Sequence, residues 1–141
     1  MLLKNEVRKH QLENIAVSSV GIYAYPGTPA DPNIVNYLFQ IKVPVENHEA
    51  RPITKEDVEW ADLIFVMEKS HLKTMVSNWP EAKGKIELLG KYISQDHSAD
   101  DIIDPYGKSI YHYRLAQSQI TLAIESLIKR LLLDTSGSKV D

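Results

Sequence analysis

Apolar residues recur along this chain in two rhythms, helical spacing and short unbroken runs, and their alternation predicts its elements. Leu3, Val7 and the residues to Leu12 fall on one face of a helix that begins abruptly, with no N-cap ahead of it. Ile15 to Val20 is a short β-rich run closed by Gly21, and Tyr23 to Pro29 is a loop by its Pro and Gly content. Asp31 then caps a helix carrying Pro32 in its first turn, with Ile34, Leu38 and Ile41 on one face. Thr54 and Asp57 resemble a capping box that opens a short helix to Trp60. The run Leu63-Ile64-Phe65-Val66-Met67 is apolar on both faces, the pattern of a strand buried in a parallel sheet. A helix from about Lys69 to Ser77 and a strand from Lys85 to Leu89 follow. Ile110, Tyr113, Ile120, Ile124, Leu127 and Leu131 mark one long final helix, and residues 134–141 read as a flexible tail.

Helix and strand alternate without repeat, low-complexity block or internal linker, so residues 1–133 read as a single α/β domain of βαβ type. Only three strands are visible, which is few for such a sheet. The 141 residues are 43% hydrophobic and 25% charged, enough for a real core. A net charge of −3 argues against a generic nucleic-acid or anionic-membrane binder. No apolar run approaches a membrane span, and the first eight residues carry charges where a signal peptide needs its apolar stretch. Cysteine is absent altogether, which removes disulfides, thiolate metal sites and any thiol nucleophile. The expected setting is cytoplasmic, with neither nucleic acid nor membrane as partner.

The candidate chemistry lies in Asp104-Pro105-Tyr106-Gly107. Pro105 fixes its own φ and biases Asp104 toward extended backbone, so a carboxylate sits on a constrained loop with an aromatic ring two residues on. The tetrapeptide alone says little, because Asp-Pro pairs open turns in many proteins. Its context says more. His48-Glu49-Ala50-Arg51-Pro52-Ile53-Thr54-Lys55-Glu56-Asp57, then Ala61 to Met67, then Lys85 to Tyr92 precede it at set distances. Val17-Ser18-Ser19-Val20-Gly21 and Pro29-Ala30-Asp31-Pro32 stand upstream in the same order. With these motifs the chain, from residue 1 to about residue 132, resembles the low-molecular-weight protein-tyrosine phosphatases.

The resemblance implies a three-layer α/β fold, phosphotyrosine-phosphatase-I-like, with a short parallel sheet between helices. It implies that Asp104 is the general acid, which protonates the leaving-group oxygen as the phosphorus–oxygen bond breaks. A phenolate has a reference pKa of about 10, so expelling it unprotonated is costly at neutral pH, and a positioned donor contributes about 10²–10⁴-fold. Tyr106 is implied as one wall of the cleft, with Tyr23 or Tyr25 opposite; a partly exposed turn aromatic is the plain alternative for both. His48 and Ser19 match positions that support the phosphate-binding loop, and Arg51 matches one expected to form a structural salt bridge. No cofactor or metal is implied, and the substrate is a phosphorylated protein.

One part of the family pattern has no counterpart. The family's first strand leads into a C-x5-R loop whose thiolate attacks phosphorus and whose amides and arginine hold the phosphate oxygens. Met1 aligns just inside the helix after that loop. Six residues ahead of Arg8, Arg51, Arg114 and Arg130 stand Leu2, Val45, Lys108 and Ile124, none a nucleophile. The family sheet has four strands and the absent first one is central, so its neighbours would lie roughly 9–10 Å apart, twice the usual strand spacing. The helix that starts in mid-course implies that the chain as written begins at an internal methionine; otherwise strand swapping, re-pairing or a sheet-completing partner closes the gap.

Asp96, His97, Asp100, Asp101 and Asp104 could hold a hard metal, although carboxylate-rich loops are ordinarily just solvated, and the five histidines show no ligand spacing. Two functional classes follow. The first is a phosphomonoester hydrolase acting on phosphotyrosine, or on phosphoarginine, since Gly107-Lys108-Ser109 departs from the family's double-tyrosine form. The second is a non-catalytic relative that binds a partner or an anion through the same cleft.

Overall fold

The computed structural model describes residues 2–10, 14–22, 25–27, 29–44, 50–93 and 101–138, with side chains to residue 133. Its first helix, α1 (Leu2–Lys9), buries Val7 and closes as the His10 N–H donates to the Glu6 carbonyl. Helix α2 (Pro32–Gln40) starts as its sequence predicts: Asp31 Oδ1 accepts the Asn33 N–H at 2.9 Å and Pro32 takes the first helical position. It stops less conventionally. Val43 donates to the Leu38 carbonyl and Lys42 to that of Phe39, with Lys42 at φ 59°. This is a Schellman stop, with lysine where glycine is usual and the buried pair Leu38 and Val43 as its apolar clasp.

Helix α3 (Lys55–Trp60) carries the full capping box between Thr54 and Asp57. Arg51 grips the Asp57 carboxylate with two bonds of 2.7 and 2.6 Å, the structural salt bridge expected of it. That fork, with Thr54 N–H donation, holds the Asp57 carboxyl well below the usual carboxylate range. At the other end Lys85 Nζ donates to the Val58 and Ala61 carbonyls, a cation placed on a helix C-terminus.

Strands β1 (Ile64–Val66) and β2 (Ile86–Leu88) pair in parallel, Ile64 opposite Ile86 and Val66 opposite Leu88, with α4 (Lys69–Asn78) crossing between them. The pleat sends successive side chains to opposite layers. Val66, Ile86 and Leu88 meet Val58, Met75 and Ala82 under α3 and α4, while Phe65 joins Leu89, Ile102, Ala123 and Leu127 under α5 (Ile110–Ser138). Helix α1 lies along α5, where Val7 packs with Ile124 and Ile128. The result is an α/β fold of three layers around a short parallel sheet, as the sequence implies.

Four details differ from the sequence reading. Residues 15–20 form no strand: Gly21 alone makes an isolated parallel bridge to Pro52, and Ile15 and Val17 pack on α1 and α5 without a ladder. A β-rich run becomes a strand only when a second run lies in register beside it. Strand β1 is shorter than the apolar run 63–67: Leu63 and Met67 lie beyond its ends and are exposed. Lys85 and Leu89, expected in β2, belong instead to 3₁₀ helices at Pro80–Lys85 and Leu89–Tyr92. The α5 backbone also continues through Ser138, since extending a formed helix is far easier than starting one. Among the described residues no helix is long and apolar enough to cross a membrane.

Candidate active site

The segment from Asp101 to Ser109 is fixed at both ends. The Ile102 N–H donates to the Met67 carbonyl at 2.8 Å, just past the end of β1, and Ile102 is buried in the core. Asp101 Oδ1 accepts the Lys69 N–H at 2.7 Å, giving α4 a cap from a residue far away in sequence. Glu68, the residue at the capping position itself, makes no such bond. Gln119 of α5 accepts the Ile103 N–H at 3.2 Å. Asp104 therefore leaves a stretch tied to β1, α4 and α5 at once.

Asp104 is exposed, and its Oδ1 accepts the Tyr106 N–H at 3.1 Å, a local Asx turn. The Lys108 N–H returns to the Pro105 carbonyl at 2.9 Å around a turn whose third residue, Gly107, has φ +75°. That is the position where a type II turn asks for glycine. The turn lifts Tyr106 out, 78% exposed. Ser109 then begins α5, its carbonyl accepting from His112 and Tyr113 and its hydroxyl 2.8 Å from His112 Nδ1.

Tyr113, one turn into α5, donates its hydroxyl to Asp31 Oδ2 at 2.7 Å. One carboxylate thus caps α2 with one oxygen and anchors α5 with the other. The bond to Asp31, aided by burial, raises the tyrosine above its ordinary value, against an opposing pull from Asn33 and the Gly107 backbone. The Asp104 turn and the start of α2 are in this way linked through α5.

Of the other sequence-predicted residues, Tyr25 is 83% exposed on a short stretch whose Gly27 donates to the Ala50 carbonyl at 2.8 Å. Ser19 lies exposed on the unladdered run 15–20. Tyr23 and His48 lie outside the described residues, as do Asp96, His97 and Asp100 of the carboxylate-rich loop. Among the described residues no cluster of His, Asp or Glu has a metal-binding arrangement. A shallow groove lined by Lys69, Ser70, Leu72, Lys73 and Val76 runs along α4 and does not include Asp104. Tyr113 and Gln119 have no motif of their own, and Asp31 stands in one, Pro29-Ala30-Asp31-Pro32, that says nothing of Tyr113. Only the cap role of Asp31 was visible locally, and its second oxygen is the signal that it could serve another element.

A parallel β-α-β core with a carboxylate loop tied beyond the end of its first strand defines a small three-layer α/β domain. The low molecular weight phosphotyrosine protein phosphatase family matches residues 1–136, and this chain belongs to that family. It is 31% identical over 121 residues to a protein-arginine-phosphatase of Bacillus subtilis, covering 86% of this chain and 79% of that one. It is 29% identical over 123 residues to the low molecular weight protein-tyrosine-phosphatase Etp of Escherichia coli, covering 87% and 80%. The structure of the YwlE arginine phosphatase from Geobacillus stearothermophilus superposes with a TM-score of 0.85 at 27% identity, over 96% of this chain and 86% of that one.

Proposed function

We propose that this protein is a phosphatase-family domain for phosphorylated protein side chains, in which Asp104 is the proton donor and which, as the 141 residues stand, has no nucleophile of its own. The single observation that carries the reading is the Asp104 turn, held by main-chain and side-chain bonds to three elements in a chain of this family. As the phosphorus–oxygen bond breaks, the Asp104 carboxyl gives its proton to the departing oxygen and becomes a carboxylate. The phosphoryl group must pass to an acceptor, which in the family is a cysteine thiolate; this sequence contains no cysteine. Tyr106 and Tyr25, or Tyr23, serve as aromatic walls for a flat substrate group, and His48 and Ser19 as support for a phosphate-binding loop. Residues 1–133 are the unit that carries this function.

The purified 141-residue chain is expected to release no phenol from p-nitrophenyl phosphate. A measurable rate abolished by Asp104→Ala would overturn the reading. The mass of the protein isolated from its own cells separates the two functional classes. A mass above 16.0 kDa by about one strand and one loop goes with a hydrolase, and 16.0 kDa goes with a partner- or anion-binding relative. Phosphoarginine is the second substrate reading, favoured by Gly107-Lys108-Ser109 after Tyr106 and by the arginine-phosphatase relatives.

A further inference from the structure

The surface that follows Asp104 along the chain is apolar where a solvated turn and helix start would be polar. Tyr106, Ile110 and Tyr111 are 78%, 69% and 67% exposed. Single exposed apolar residues are ordinary, but a group of them beside a candidate acid marks a contact surface. Ile110 and Tyr111 open α5, and Arg114 lies four residues beyond the one and three beyond the other, so the three share one side of its first turn.

The Tyr111 ring is braced. It stands edge-on to His112, centroids 5.6 Å apart at 83°, and His112 Nδ1 lies 2.8 Å from the Ser109 hydroxyl. Tyr113 and Gln119 tie the same helix to Asp31 and to Ile103, the residue before Asp104. The first turn of α5 and the acid turn are thus held together, and a surface already fixed loses little freedom on contact.

Charge narrows what fits there. Lys108 and Arg114 are exposed, and neither makes an ion pair with a described residue. In a chain of net charge −3, two uncompensated cations beside an apolar ledge favour a segment with an apolar residue to lie on the ring and acidic residues to meet the cations.

We propose that Ile110, Tyr111 and Arg114, with Lys108, form a docking ledge for the polypeptide of the substrate, which takes segments carrying apolar and acidic residues next to the phosphorylated one. This role rests on the reading of the Asp104 turn as a site for phosphorylated proteins, and adds to it a preference for sequence.

The test is fluorescence anisotropy of short labelled peptides on the 141-residue chain. Each has a central phosphotyrosine, flanked by leucine and aspartate, by alanine alone, or by leucine and lysine. The leucine–aspartate peptide should bind about tenfold tighter than the other two, with a gap that narrows in high salt. The same peptides without phosphate should keep that order, because the ledge reads the flanks. Tyr111→Ala and Arg114→Glu, both at exposed positions, should each remove most of the preference, and Arg114→Lys should keep it. Equal binding by all peptides, no binding by any, or a preference untouched by both variants would overturn the ledge. So would a preference that disappears as the chain's own concentration rises, which would mean that a second copy lies there. Failure of the Asp104 reading shows separately, in p-nitrophenyl phosphate, which has no flanks for the ledge to read.

Discussion

Asp31 serves two helices with one carboxylate, and the bond from Tyr113 joins residues 82 positions apart. Local sequence shows half of this arrangement. An aspartate before Pro32 reads as a cap, but a side-chain bond across such a separation leaves no periodic trace. The same holds for Gln119 on Ile103 and Asp101 on Lys69, whereas Asp104 is legible because its turn chemistry is written in consecutive residues. The Tyr113 bond carries a definite pH dependence. Its folded pKa is raised above the ordinary value near 10, so its stabilisation is fully present below pH 10 and fades as pH rises through the folded value. Tyr113→Phe should therefore lower the thermal midpoint at pH 7 by a few degrees, and the gap to the parent should close in alkali. A gap of constant size from pH 7 to pH 11 would show that the hydroxyl bond is not its source.

At the scale of elements, the helices α2 and α3, with side-chain caps close in sequence, had the most legible starts. Asp31 starts α2 and the Thr54–Asp57 box starts α3 where the sequence places them, because a cap acts within four residues. The strands were less legible. Residues 15–20 have the composition of a strand, but a strand is a relation between two segments, and the described structure places no second segment in register with them. The 3₁₀ helices at Pro80–Lys85 and Leu89–Tyr92 follow neither the helical nor the strand period, which is why the pattern assigned their end residues to β2. Helix α3 offers a clean check on capping. Thr54→Ala should cost about 1 kcal/mol, read as a lower urea midpoint with an unchanged slope, and no change in midpoint would mean that the Arg51–Asp57 fork alone sets the start of α3.

Across the whole molecule, α5 is the spine. Its inner face supplies Ala123 and Leu127 to the core beneath β1 and Ile124 and Ile128 to the seam with α1. Leu127 is 1% exposed, so Leu127→Ala should cost about 2–5 kcal/mol. Against a typical total of about 5–15 kcal/mol that is a large share, and the variant should be the least stable of those named here by chemical denaturation. A loss smaller than that of Thr54→Ala would show that α5 is not the organising element.

The ties that hold the Asp104 loop have a consequence for how freely this sequence can drift. Two of the three groups it is tied to, the Met67 carbonyl and the Lys69 N–H, belong to the main chain. Position 67 can thus change its side chain without breaking the tie, and position 69 can take any residue but proline. The burden of specificity falls on Asp101 and Gln119, whose side chains make the bonds. Lineages of this fold can rewrite the end of β1 and the start of α4 while the Asp104 turn stays where it is.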